Sequence, residues 1–362
     1  MKKQLILILL FVAFNTSAQE KNNAIQAQLN KVVGNKMVMG VAAAYSIDGK
    51  IIEHAVAGYA DKDTGRQLAI DTKMRMGSIA KTMTALAVMQ LIEQEKLDLD
   101  APIQKYISDY PKHEKTQITI RHLLSHTSGI SGYKDGRESN TTTEYATLYD
   151  ALSLFKDRDL LFEPGTQYSY TTYGYTVLGA IMEHVTGQTF EAYMHEHIFD
   201  KAGMTNTGVK KFGEVLENES KLYTRNNGKG KAKPAKENNL SNRIPAGGFY
   251  TTIGDMLKFG EAVINNTLVK KETLKEMRQH HSLEKENNAY GFGWFLYNPK
   301  PYEGAIIGHP GAQTGCTSFL FIVPEKKAIS VILANTSRAQ SSIDPIANDL
   351  LRLSLSKTTL NK

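Results

Sequence analysis

Strand-like segments lie at both ends of this 362-residue chain and helical ones fill its middle. Met37–Ser46 reads as an apolar strand, Asp48-Gly49 supplies the residues of a tight hairpin turn, and Lys50–Ala57 reads as the partner strand. Near the other end Phe292–Tyr297, Ala305–Gly308 and Phe319–Val323 read as strands. The last of these is hairpinned through Pro324-Glu325-Lys326-Lys327 to Ala328–Leu333, and a helix over about 342–354 covers them. Asn22–Val33 reads as a leading helix. Thr142–Phe155, Tyr173–Thr186 and Phe190–Ala202 carry helical periodicity, and Thr252-Ile253-Gly254-Asp255 reads as a helix start. Sheet pieces at both ends with helices inserted between them predict an α/β (α+β) architecture. One αβ subdomain spans about 22–100 and 245–356, a helical subdomain spans about 101–244, and any functional site is expected in the cleft between them. No internal repeat or long linker interrupts this layout.

The N-terminus reads as a targeting segment. Lys2 and Lys3 form a basic start, Leu5–Phe14 an apolar run, and Thr16-Ser17-Ala18 a small-residue cleavage site. The apolar run is short for a spanning helix, and no cysteine stands near the cleavage site to carry a lipid. Residues 1–18 are therefore expected to be a signal peptide. That leaves 19–362 as a single exported domain, periplasmic or secreted, with no membrane span; a retained anchor is the alternative. The remainder, 41% hydrophobic and 22% charged, is ordinary globular composition. Loss of Lys2 and Lys3 lowers the formal charge from +6 to +4, a mild excess that does not call for nucleic acid. The basic residues bunch between Arg225 and Lys236. That segment reads as a solvated loop, or, more sharply, as a patch that meets an anionic envelope polymer. The single cysteine, Cys316, excludes an internal disulfide and reads as a small buried strand residue. As a nucleophile it ranks below Ser78, because on one regular strand it and His309 would face opposite ways.

Ser78 and Lys81 carry the chemistry. At i, i+3 on a helix they share one face about one turn apart. Gly77 precedes them, and the apolar pattern of Met83, Leu86, Ala87, Leu91 and Ile92 follows. A serine hydroxyl needs a base to become a nucleophile, and a lysine serves when burial or another cation lowers its pKa. A helix start also offers free N–H groups to negative charge. Taken alone, the spacing equally fits an N-capping serine and a solvated lysine.

Two more segments tip the balance: Phe162-Glu163-Pro164-Gly165-Thr166-Gln167-Tyr168-Ser169-Tyr170-Thr171-Thr172-Tyr173-Gly174-Tyr175 and Gly308-His309-Pro310-Gly311-Ala312. With Ser78 and Lys81 they resemble the S-x-x-K, Y-x-N and K/H-x-G motifs of the serine β-lactamase and penicillin-binding-protein superfamily. His122–Gly129, Pro245–Thr252 and Tyr290–Trp294 look like that family's flanking segments, in the family's order from about 37 to 340. The resemblance is nearest to class C β-lactamases, related esterases and carboxypeptidases, and the animal mitochondrial β-lactamase-like serine protease.

The resemblance implies a β-lactamase/transpeptidase-like fold and an acyl-enzyme on Ser78. It implies that Tyr170 shares the base role with Lys81 and then protonates the leaving group; the spacing to Gly174 and Tyr175 favours Tyr170 over Tyr168. A neighbouring lysine cation is expected to lower the phenol pKa. The backbone N–H groups of Ser78 and Ala312 would form the oxyanion hole. His309 takes the place of the motif lysine and supplies charge when protonated, while Thr172 and Gly311 are expected to contact substrate. Thr172 stands where relatives carry asparagine, and Pro310 where they carry threonine or serine. No cofactor is implied. No metal site is expected either, since His195 with His197, His280 with His281, and His122 with His126 each lack a third ligand or a shared direction. The expected activity is hydrolysis of peptide, ester or amide bonds, in the manner of a D-Ala-peptide carboxypeptidase or esterase with weak β-lactamase activity. Peptidoglycan-derived peptides are among the candidate substrates. The departures at Thr172 and Pro310 keep open a catalytically weak homologue that binds or senses cell-wall peptides. The acyl donor and the oligomeric state stay open.

Overall fold

Eight consecutive residues, Gly40–Ile47 (β1), form a strand whose side chains are buried on both faces. Alternation divides them between two cores: Ala42 and Ala44 on one side, Val41, Ala43 and Tyr45 on the other. A strand buried on both faces needs cover on both, and it sits in the middle of its sheet. The structure is a computed structural model that describes residues 24–112, 115–283, 289–297 and 306–358. The expected signal peptide and the start of the Ala305–Gly308 strand lie outside these residues.

Among the described residues the sheet has seven antiparallel strands. They are β1, Lys50–Asp61 (β2), Arg66–Gln67 (β3), Phe295–Tyr297 (β4), Ile306–Gln313 (β5), Cys316–Val323 (β6) and Ala328–Ala334 (β7), in the order β3-β2-β1-β7-β6-β5-β4. The two ends of the chain meet where β1 pairs with β7, Ala43 opposite Ile332 and Ala44 opposite Val331. Asp48 and Gly49, both with positive φ (49° and 74°), close the β1–β2 hairpin as the sequence predicts. The outer face is covered by helices 24–34 (α1) and Gln340–Thr358, through Ile25, Leu29, Ile343, Ile346 and Leu350. The inner face packs on Ala80–Glu93 (α2), which is buried almost all round. Tyr173–Thr186 (α3) and Ile253–Ile264 (α4) join the same core. At α4 the predicted cap is present, with the Thr252 hydroxyl accepting from the Asp255 N–H at 3.2 Å.

Several expected elements come out differently. The helix predicted over Thr142–Phe155 is confined to Leu148–Ala151 and a 3-10 turn, Leu152–Leu154. Upstream, the Thr141 hydroxyl takes the Thr143 N–H at 3.0 Å, a local bond that competes with helix. The helix then starts at Thr147, whose hydroxyl accepts from the Asp150 N–H. β6 begins at Cys316 rather than Phe319, and β4 keeps only Phe295–Tyr297, since Gly293 has φ 81°. Cys316 and His309 therefore lie on neighbouring strands rather than on one.

The basic segment is not a loop. Tyr223–Asn226 and Lys229–Pro234 pair antiparallel through Asn227 (φ 47°) and Gly228 (φ 72°), the residue pair that favours a two-residue hairpin. Tyr223 and Thr224 also pair in parallel with Thr336 and Ser337, which carries the hairpin beside the end of β7.

Gly260 shows how closely α4 lies on the sheet. A Cβ there would stand 2.7–2.8 Å from three side-chain carbons of Ile329. Gly260→Val is expected to destabilise the fold by about 1–3 kcal/mol through overpacking. Urea denaturation of the two proteins measures it, and an unchanged midpoint would contradict the packing described.

Candidate active site

Ser78 sits in a 3-10 turn, Gly77–Ile79, that runs directly into α2. Gly77 has φ 61°, and a Cβ on it would lie 2.8 Å from the Ala312 nitrogen. Only glycine both adopts that φ without strain and leaves room for β5 at this point. A Cβ on Gly311 would collide with the Met76 carbonyl, and the Ser318 hydroxyl donates to that carbonyl at 2.7 Å. The serine turn is thus pressed onto the end of β5, beside the Ala312 amide. Gly311 serves this contact and does not line the cleft.

Lys81 is fully buried one turn further on. Its Nζ lies 3.3 Å from Ser78 Oγ and donates to the Ala246 carbonyl at 3.0 Å. The rings of Tyr170 and Tyr175 stand 4.8 and 5.6 Å from it. Burial, aided by the Arg243 guanidinium, lowers its pKa to about 7. The site therefore holds the amine at the point where it exchanges a proton near neutrality.

Tyr170 leaves 37% of its surface on the cleft wall, but its hydroxyl is turned in to hydrogen-bond Ser78. Desolvation of that hydroxyl holds the phenol pKa well above its ordinary value, with the Ser78 hydrogen bond opposing. This corrects the expectation of a lowered pKa. The nearby lysine is itself close to neutral, so loss of water outweighs any cation. Tyr170 is a protonated phenol, a donor rather than a resident base. Tyr168 is absent from the cleft lining.

A histidine read only as a candidate metal ligand holds this tyrosine in place. His126, buried and at φ 60°, accepts the Ser169 N–H on its carbonyl at 2.9 Å and the Thr171 N–H on Nδ1 at 3.2 Å. Both bonds flank Tyr170, whose ring lies 4.3 Å from the imidazole. Because the Thr171 amide can only donate, Nδ1 carries a lone pair. Burial, with Lys81 and His309 nearby, holds the ring's pKa far below normal. No sequence spacing marks this role, since the partners lie more than forty positions apart.

His309 is buried, not cationic. Desolvation first, then Lys81, lowers its pKa to about 3. Its Nδ1 approaches the Pro310 carbonyl at 2.6 Å and must carry the proton, so Nε2 accepts from the Tyr290 hydroxyl at 3.1 Å. It lies behind the cleft wall, its ring 5.9 Å from that of Tyr170. The charge that His309 would supply when protonated is therefore missing near neutral pH. Pro310 falls beyond the β4 partner, whose pairing with β5 stops at Gly308. Cys316 is buried with its thiol pushed up to about 12 by desolvation. Among the described residues no three metal-ligating side chains converge.

These groups open on a cleft of about 1020 Å³. Ser78, Tyr170, Thr172, Ala246 and Ala312 line it with Tyr133, Asn140, Arg243, Gln313 and the basic hairpin. Thr172, just before α3, is on the wall where the sequence places it.

The β-lactamase family profile matches residues 25–353. The chain belongs to the β-lactamase family. It is 29% identical over 380 residues to the mitochondrial serine β-lactamase-like protein LACTB of Homo sapiens, covering 79% of this chain and 69% of that protein. The octameric penicillin-binding protein homologue from Pyrococcus abyssi superposes with a TM-score of 0.80 at 25% identity, over 92% of this chain and 77% of that one. D-amino acid amidase from Ochrobactrum anthropi SV3, in complex with L-phenylalanine, gives 0.79 at 25% identity over 93% and 99%. The fold is that of the β-lactamases and transpeptidases, and the protein is a serine hydrolase of this family. No helix among the described residues is long and apolar enough to cross a membrane.

The geometry separates the two candidate tyrosines. Tyr170→Phe should lower kcat on a nitrophenyl ester about a hundredfold or more, as loss of a proton-transfer group does. Tyr168→Phe should change it only a few-fold. Steady-state kinetics of the two variants checks this, and the reverse ranking would refute the assignment.

Proposed function

We infer that this protein is an exported hydrolase that cleaves ester, amide or peptide bonds through an acyl intermediate on Ser78. One observation carries the reading: a fully buried lysine, its pKa lowered to about 7, within 3.3 Å of a serine hydroxyl at a helix start. In its neutral form Lys81 takes the Ser78 proton while its own N–H stays on the Ala246 carbonyl. Oγ attacks the substrate carbonyl, and the N–H groups of Ser78 and Ala312 receive the oxyanion. Tyr170 gives its proton to the leaving group as the C–O or C–N bond breaks, and recovers one from the Lys81 ammonium. Water then repeats the sequence to release the acid. Lys81 and Tyr170 end each half-reaction in their starting protonation states, and Ser78 regains its proton when the acid is released.

The cleft supports simple esters and amides ahead of β-lactams. His309 is neutral and behind the wall, Thr172 is shorter than an asparagine, and Pro310 has no hydroxyl. D-amino acid amides and cell-wall peptides are candidate acyl donors, through the named amidase and penicillin-binding relatives. Export rests on the basic, apolar and small-residue pattern of residues 1–18.

Intact mass after exposure to a fluorophosphonate, a β-lactam and a D-Ala-D-Ala peptide tests the acyl-enzyme. Ser78→Ala should remove every adduct and lower ester hydrolysis at least about a thousandfold. Undiminished turnover in Ser78→Ala would overturn the reading, and a stable adduct without turnover would mark a binder instead.

The pH profile has a definite sign. A base must be deprotonated to act, so kcat/KM for a neutral ester should fall as pH drops through about 7 and level off above it. A profile flat down to the carboxylate range would exclude Lys81 as the base.

A further inference from the structure

Arg75 stands three residues before Ser78, on the short strand Met74–Arg75 that runs into the serine turn. It is 2% exposed, a depth at which a guanidinium is ordinarily held by a carboxylate in two-point contact. Among the described residues, the carboxylate within ion-pair distance is Glu237, at 3.4 Å and shared with Lys210 at 3.7 Å. Its shorter bonds go elsewhere. Nη1 donates to Asn238 Oδ1 at 2.7 Å and to the Thr314 carbonyl at 3.3 Å, while Nη2 also reaches the Asn238 carbonyl at 3.5 Å.

These acceptors come from segments far apart in the chain. Thr314 lies in the turn between β5 and β6, two residues past Ala312. Asn238 belongs to the cleft wall, where its Nδ2 donates to the Ser139 carbonyl at 3.2 Å. Arg75 itself pairs with Tyr250 in the strand Phe249–Thr251. One buried guanidinium thus joins the serine segment, the end of β5 and the cleft wall.

The two N–H groups that receive the oxyanion in the proposed mechanism belong to Ser78 and Ala312, each within three residues of this guanidinium's attachments. Close packing of Gly77 on β5 keeps the two segments together. Packing alone resists separation more than it resists sliding. A directional, charge-assisted bond to the Thr314 carbonyl resists sliding along β5, which is the motion that would take the two amides out of alignment.

We propose that Arg75 is a positioning residue for the oxyanion site: by tying the serine segment to Thr314 and Asn238, it sets the spacing at which the Ser78 and Ala312 amides meet the negative oxygen. The proposal rests on Ser78 as nucleophile and adds the group that aligns the donors. Their alignment matters most in the transition state, where the charge on that oxygen develops.

The test compares wild type with Arg75→Gln on a nitrophenyl ester and on its thiono analogue, in which sulfur replaces the carbonyl oxygen. Sulfur is larger and a weaker acceptor, so donors set for oxygen reject it. In Arg75→Gln, kcat on the oxygen ester should fall about tenfold or more, as for a weakened oxyanion donor, with KM within about twofold of wild type. The oxygen-to-sulfur ratio of kcat/KM should narrow by a similar factor. The acidic limb at about 7 should stay in place, because Lys81 owes its low pKa to burial and to Arg243. Should Arg75→Gln not fold, Arg75→Lys decides. Its ammonium keeps a charge beside Glu237 but cannot span Asn238 and Thr314 together, so the same losses are expected. A kcat within about threefold of wild type, a loss confined to KM, or a loss that tracks a shifted acidic limb overturns the proposal. So does a fall in kcat that leaves the oxygen-to-sulfur ratio unchanged, or a wild-type ratio no larger than that of the two esters in alkaline hydrolysis. Ester hydrolysis that persists in Ser78→Ala would instead refute the catalytic reading.

Discussion

The hydrogen bond between Lys81 and Ser78 depends on the lysine having no water to turn to. An ammonium in bulk solvent is a poor base, and the whole inner half of the molecule keeps solvent from this one. α2 is buried nearly all round, and Tyr170, Tyr175 and Ala246 enclose the Nζ. This arrangement costs stability. With a folded-state pKa of about 7 against an unfolded 10.5, the denatured chain binds the extra proton between those values. Stability therefore suffers the full penalty below about 7 and recovers as pH rises toward the unfolded value. The fold carries a standing electrostatic strain in exchange for a base poised near neutrality.

Around that base, the remaining ionisable side chains are held neutral. His126 and His309 are kept uncharged by burial and by the fixed direction of one hydrogen bond each. Tyr170 and Tyr290 are kept protonated by desolvation. Such an environment gives these groups little capacity to store charge near neutral pH. Arg243 is the exception: a buried permanent charge in the cleft wall, close enough to lower the pKa of Lys81.

Local features were readable in advance, and features made by distant segments were not. The spacing of Ser78 and Lys81 is a property of one helical turn, and the Asp48-Gly49 hairpin a property of two residues. The order of the three motifs picked out Tyr170, Thr172 and Ala312, all of which reach the cleft. His126 and Arg243 acquire meaning only when the chain brings residue 126 to 170 and residue 243 to 81. For the phenol of Tyr170, proximity to a cation is legible in the motif, whereas the degree of desolvation that outweighs it is not. Asn227-Gly228 has the composition of a hairpin turn, but a run of lysines around it fits a solvated loop equally well.

The pairing of β1 with β7 has a consequence for when the protein becomes active. Ser78 and Lys81 are made early, but the Ala312 amide beside them belongs to β5, which is secured through β6 and β7 to the N-terminal hairpin. A growing chain that has yet to produce its final strands has the nucleophile without the strand that shapes its turn, and without a closed wall around its base. The site's geometry thus depends on segments from nearly the entire polypeptide. A chain that stops before β5 lacks both the Ala312 amide and the strand on which the serine turn is pressed.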